Sequence, residues 1–322
     1  MKIRRLGRTT LQVSELGHGL WGMGDWSGSD DNVSLTVLTE SARLGCNFFD
    51  TAQAYGKGRS DRLLGELIRR VGRERVIIGA KVAPKNWKWP GSPNDRLEDV
   101  FPHEYTEQSV KEIAKNIGVE RIDLLQFHVW DDAWAKSDEW CRSIDHLKRH
   151  KLISSFGISI NRWEPENVLK ALETGLVDVV QAIYNIFDQS PEDKLFPFCK
   201  QNDIGVIARV PLDEGSLGGN MTRETRFPAN DWRSKYFGSE NLGPTIDRIE
   251  KLKKEFPGYE LSELALRFII SNATVGTVIA GMRTRAHLEK NVGYVSKGPL
   301  PNDVIAKLKH HRWDRAVTPW AN

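Results

Sequence analysis

Short apolar runs alternate with amphipathic stretches from about residue 45 to residue 295, the pattern of βα units repeated around a parallel sheet. The runs predict eight strands, at residues 16–20, 47–49, 76–80, 122–127, 153–158, 179–183, 205–208 and 277–279. Between them, apolar residues recur at helical spacing, as in Leu63, Leu64, Leu67 and Ile68, and again in Leu264, Ala265, Phe268 and Ile269. The second of these helices is predicted to start at Ser262 as N-cap, with Glu263 in its first turn against the helix dipole. Residues 1–13 read as a hairpin turning at Gly7-Arg8-Thr9-Thr10, placed to plug one end of a barrel.

Eight strands alternating with helices fit either a closed (β/α)₈ barrel or a doubly wound open sheet, and periodicity alone does not separate them. No Pro/Ser/Gly-rich linker divides the chain, and 322 residues suit one large barrel as well as two average domains. Three long irregular stretches, 82–102, 212–243 and 310–322, read as active-site loops.

Composition narrows the partners. The 46 basic residues nearly balance 43 acidic ones, and no basic block stands out, so no nucleic-acid partner is expected. No long apolar run marks a signal peptide or a membrane span, which predicts a soluble, cytoplasmic protein without a membrane partner. Cys46, Cys141 and Cys199 are odd in number, far apart and never in CxxC spacing, so reduced, mostly buried thiols are expected. The sequence carries no signal of oligomeric state.

Gly17-His18-Gly19-Leu20-Trp21-Gly22 matches GxGxxG, the glycine pattern of dinucleotide-binding turns. That motif needs its third glycine to open a helix aimed at the pyrophosphate, whereas Gly24 to Gly28 reads as a turn-rich loop. Glycines kept for a tight turn and close packing are the favoured reading.

The chemistry concentrates at strand ends. The second strand runs into Asp50, with Tyr55 five residues on; the third delivers Lys81 and the fourth His128. In a barrel these ends form the catalytic face. Singly, each residue has an ordinary explanation as a cap, a solvated end, a hydrogen-bonded core group or packing. Together they form the Asp, Tyr, Lys, His set of the aldo-keto reductases, and Phe49-Asp50-Thr51-Ala52, Tyr55-Gly56, Ser60 and Leu64-Gly65-Glu66 also resemble that family. So do Leu6-Gly7-Arg8-Thr9, Phe156-Gly157-Ile158-Ser159, Gly205-Val206-Ile207-Ala208 and Val278-Ile279-Ala280-Gly281-Met282-Arg283, so the likeness runs over nearly the whole chain.

The resemblance implies one (β/α)₈ barrel over residues 1–322 that moves a hydride between NADPH/NADP⁺ and a small-molecule aldehyde, ketone or sugar carbonyl. Tyr55 would be the proton donor, Lys81 would stabilise its phenolate, Asp50 would hold Lys81, and His128 would orient the carbonyl oxygen. It further implies that Gly19, Trp21, Asp50, Ser159, Asn161, Gln181, Arg209, Pro211, Leu212, Gly281, Arg283, His287 and Asn291 hold the nucleotide, with Arg283 on the 2′-phosphate. Substrate would meet Trp21, Tyr55, Trp87, His128 and Trp130. Three positions depart from the family pattern: Ile160 separates Ser159 from Asn161, Arg209 stands where many members stack a tyrosine, and His287 stands where others use Arg or Gln. The last leaves NADH open as cofactor.

Trp21, Trp26, Trp87, Trp89, Trp130, Trp232, Trp313 and Trp320 are expected near the barrel mouth, which suits a bulky, ring-containing substrate. Two other functions fit parts of the sequence. A non-catalytic regulatory subunit on the same barrel would keep a bound nucleotide, as channel-associated β subunits do. A metal hydrolase would use Asp50 and His128 as ligands, but the clustered spacing of a metal site is missing, and no metal is expected.

Overall fold

The computed structural model describes residues 1–24, 29–238 and 240–315. Trp26, Trp320 and residues 25–28 of the expected loop lie outside these residues; Gly24, expected in that loop, instead ends a short helix, Trp21–Gly24, that contains Gly22. Strands β1 (Ile3–Arg5) and β2 (Gln12–Ser14) pair antiparallel as the N-terminal hairpin. Eight parallel strands then close into a barrel: β3 (Leu16–Gly19), β4 (Phe48–Asp50), β5 (Ile77–Val82), β6 (Ile122–Phe127), β7 (Ile153–Ser159), β8 (Val179–Ile183), β9 (Gly205–Arg209) and β10 (Val275–Gly281), with β10 returning to β3. The open-sheet alternative is thereby excluded.

The expected strands at 122–127 and 179–183 coincide with β6 and β8, and β10 departs most, running two residues beyond the prediction at each end. Gly276 is what permits its early start. A Cβ there would lie 2.7 Å from Leu6 Cδ1, so only glycine lets the strand pass the hairpin.

Paired residues of parallel strands face the same way, so the register sorts inward from outward positions. Phe48, Leu124, Val179, Ile207 and Ile279 point inward and pack with Leu6 and Val13 of the hairpin, filling the lower barrel. Gly17 and Gly79 make room for this fill, since a Cβ would lie 3.0 Å and 2.6 Å from the Phe48 ring. Outward residues such as Phe49, Ile78, Leu125, Phe156 and Val180 meet the apolar faces of the surrounding helices in the main core.

The helix Leu261–Ser271 corrects one expectation. It begins ahead of Ser262, with Glu260 at the N-cap; that carboxylate reaches Lys290 at 2.9 Å and caps no backbone N–H. The three cysteines are free, Cys46 and Cys199 buried, and burial pushes their thiols up to about 11 and about 12. Among the described residues no helix is long and apolar enough to cross a membrane.

Candidate active site

Above the apolar fill, the inward positions at the C-terminal strand ends turn polar: Asp50, Lys81, Gln126 and Gln181. The Lys81 ammonium donates to the Asp50 carboxylate, lies 3.3 Å from the Thr51 carbonyl and 3.4 Å from the Tyr55 hydroxyl. Gln181 Nε2 donates to the other Asp50 oxygen at 2.9 Å and to Gln126 Oε1 at 3.2 Å. The segment between Asp50 and Tyr55 is fixed from behind, where Thr51 Oγ1 donates to Asp61 at 2.7 Å and lies 2.7 Å from Ser60 Oγ, pinning the start of helix Arg59–Val71 to the strand end. Gly24 lets the Tyr55 backbone approach, since a Cβ there would lie 2.7 Å from Tyr55 C.

His128 follows β6 and stands edge-on to Tyr55, ring centroids 5.7 Å apart at 78°, with Trp89 equally close on another side. Its Nδ1 is buried with no hydrogen-bond partner among the described residues.

Charge and burial compete at each group. Burial opposes the Lys81 ammonium, but Asp50 and then Tyr55 outweigh it and hold its pKa above the usual lysine value. Burial raises the Tyr55 hydroxyl, and Lys81 offsets that only in part, so the net shift is upward. Lys81 pulls the hydroxyl toward the phenolate, and desolvation prevails over it. Burial, with Lys81 and Arg209 nearby, drives His128 well below its usual value, leaving the ring neutral.

A sequence model described as "Aldo/keto reductase family" matches residues 15–312. The chain belongs to the aldo/keto reductase family. It is 27% identical over 307 residues to an NADH-specific methylglyoxal reductase of Escherichia coli, covering 91% of this chain and 93% of that protein. It is 25% identical over 323 residues to a probable voltage-gated potassium channel subunit beta of Arabidopsis thaliana, covering 95% and 94%. In structure it is similar to an aldo-keto reductase of Bacillus halodurans in its holo form, with a TM-score of 0.79 at 24% identity and all of both chains covered.

In this aldo/keto reductase the polar layer opens onto a cleft of about 680 Å³ across the C-terminal face. Gly19, Trp21, Asp50, Tyr55, His128, Asn161, Gln181, Arg209, Pro211, Leu212, Gly281, Arg283 and His287, all picked from the sequence, line it. Lys81 sits behind Asp50 and Tyr55, fully buried. Ser159 is buried beside Gln181 in the register, and Asn291 is buried in helix Arg285–Ser296; neither lines the cleft. Asn161 lines it, but its amide is engaged with both backbone groups of Gly91 and with Glu164, so it holds the 82–102 loop.

Two tryptophans need correction. Trp130, expected to meet substrate, is 0% exposed, stacks with Phe127, meets Trp140 edge-to-face, and donates its indole N–H to Asp132. The chain turns inward after His128, so the residue two places on enters the core. Trp87 is 54% exposed and packs on Trp89 without lining the cleft; Trp89 takes the position beside His128 instead.

Sequence reading missed Gln126, Arg162 and Glu214. Gln126 was detectable, as the last inward residue of β6, two residues before His128. Arg162 and Glu214 were not, because their ion pair at 2.6 Å joins loops 52 residues apart. Arg162 also stacks on Trp232 and Tyr236, and its Nη1, like Arg209 Nε, is buried without a hydrogen-bond partner among the described residues.

The C-terminal segment behaves differently from an active-site loop over its described part. Arg315 donates to Asp188 at 2.5 Å, Asp213 at 2.9 Å and Tyr236 at 2.7 Å, all buried, and so fastens the loop after β9 from behind the cleft.

Proposed function

We propose that this protein is an NADP(H)-dependent reductase of aldehyde, ketone or sugar carbonyls, with Tyr55 as its general acid. The observation that carries this reading is a tyrosine hydroxyl 3.4 Å from an ammonium fixed by a buried carboxylate, at the floor of a large cleft.

The cleft's chemistry fits an anionic nucleotide. Arg162, Arg209, Arg233, Arg283 and His287 line it, and the unpartnered nitrogens of Arg162 and Arg209 are buried donors suited to acceptor oxygens. Gly22 gives Arg283 its place, since a Cβ there would lie 2.9 Å from Arg283 Cδ. The third glycine of the GxGxxG pattern would therefore serve the nucleotide through packing, not as a helix cap.

Bound NADP(H) would supply or accept the hydride at the substrate carbon. Tyr55 then hands its proton to the carbonyl oxygen as negative charge develops, and Lys81 stabilises the phenolate left behind. Asp50 keeps the ammonium charged and in place; Gln181, itself bonded to Gln126, holds Asp50. The neutral His128 ring orients the oxygen and assists the reverse proton flow in alcohol oxidation. Trp21, Trp89 and Trp232 offer flat apolar faces to a ring-containing substrate.

Fluorescence titration tests the cofactor, because three tryptophans line the cleft. NADPH is expected to bind more tightly than NADH, and Arg283→Ala to weaken NADPH about 10- to 150-fold, the equivalent of about 1.5–3 kcal/mol for bonds to a charged group. NADH affinity should stay nearly constant. Equal losses for both nucleotides would count against a 2′-phosphate role.

The pH profile is a second test. With His128 driven down and Tyr55 raised, reductive kcat/KM is expected to stay flat through about pH 6.5, where an ordinary histidine titrates, and to fall only at alkaline pH as Tyr55 loses its proton. An inflection near the ordinary histidine value would contradict the neutral ring.

The beta-subunit relative favours a second reading, a nucleotide-binding regulatory protein without turnover. Tight NADPH binding with no reaction across a broad carbonyl panel would support it.

A further inference from the structure

Two barrel helices outside the cleft, His103–Ile117 and Asp138–Arg149, bring together His103, Glu107 and His146. We propose that these three side chains form a binding site for one zinc-class divalent ion that staples the two helices.

His103 and Glu107 are four residues apart on one helix face, so both reach the same point from a rigid support. His103 Nε2 lies 3.9 Å from Glu107 Oε2, and His146 Nε2, from the second helix, lies 3.5 Å from Glu107 Oε1. All three candidate ligand atoms fall within 4.8 Å of one another. Tetrahedral bonds of about 2.0–2.1 Å to zinc put ligand atoms roughly 3.3 Å apart, so modest side-chain rotations close the set.

Two further observations set this cluster apart from a chance meeting of surface residues. His103 Nδ1 is 3.0 Å from Ser143 Oγ, itself a buried hydroxyl. A ring that donates from Nδ1 to an oxygen keeps its Nε2 lone pair free, which is how outer partners commonly orient metal-binding histidines. His146 Nε2 is buried and makes no hydrogen bond among the described residues, although it stands beside the Glu107 carboxylate. A metal ion would satisfy both.

Lys111 is the competitor. Its ammonium lies 2.7 Å from Glu107 Oε1 and holds that carboxyl below its usual value, but the lysine side chain is more than half exposed, and such surface pairs are weak. It can swing into solvent when a divalent ion takes the carboxylate. Three protein ligands leave a fourth position for water. The linear sequence hides the set because helix packing brings His146 next to residues about forty positions earlier.

The test is calorimetric titration of chelator-treated, tag-free protein with Zn²⁺, together with Co²⁺ monitored by its visible absorption. One ion per chain is expected, with the absorption bands of four-coordinate Co²⁺. Ser143→Ala should weaken binding about 10-fold, and His146→Ala or Glu107→Gln by more. Lys111→Ala, which removes the competing cation, should tighten it, so a loss of affinity in the other variants cannot be laid to misfolding alone. No binding, or one-to-one binding unaffected by His146→Ala and Lys111→Ala, would overturn the proposal.

Discussion

Tyr55→Phe is expected to lower reductive kcat by about 10²- to 10⁴-fold, the usual worth of a positioned general acid, while NADPH affinity and KM change little. The substitution removes one hydroxyl and leaves the ring against His128. Among the described residues the hydroxyl's only hydrogen bond is the 3.4 Å contact with Lys81, whose ammonium keeps Asp50 and the Thr51 carbonyl as partners. Folding should therefore be nearly unaffected, and the loss should sit in the chemical step. Steady-state kinetics beside nucleotide titration separate the two; a variant with wild-type kcat would remove Tyr55 from the mechanism.

Lys81→Met is expected to act twice. It abolishes the cation that stabilises the phenolate, and it leaves the buried Asp50 carboxylate with Gln181 as its one hydrogen-bonded side chain among the described residues. Breaking one side of a buried ion pair costs about 3–5 kcal/mol of stability. The double variant Asp50→Asn, Lys81→Met removes both charges and should recover most of that stability while staying inactive. Urea unfolding of the two variants reads the difference. If the single variant is as stable as the parent, the pair is not the fixed element described here.

Much of this was legible in the chain because two periodicities coincide. The inward positions alternate along each strand, and in β4, β5 and β6 the run into the following loop is polar, so Asp50, Lys81 and, just past β6, His128 marked the catalytic end without any knowledge of the third dimension. The lower barrel was legible for the same reason, with glycines placed where Phe48 needs room. Contacts between distant loops were not. Nothing local distinguishes Arg162 or Glu214 from other surface charges, and their pairing follows from how two loops cross the cleft. Trp130 and Trp89 show a related limit: both lie near the barrel mouth in sequence, and only the path of the backbone after β6 sends one into the core and leaves the other beside His128. Ser262 was favoured by propensity as a cap, but the packing of Leu261 and Leu264 into the core sets the helix start two residues earlier. Arg315 shows the reverse case, a residue in an irregular tail whose buried carboxylate partners come from two other loops.

The most direct test of the central claim is oxidation of NADPH, followed by its absorbance, over a panel of aldehydes, ketones and sugars that includes ring-containing members. Turnover with at least one class is expected, best for ring-containing carbonyls, with its collapse in Tyr55→Phe while nucleotide binding is retained. NADPH bound tightly by the parent protein, with no turnover of any carbonyl in the panel, would contradict it.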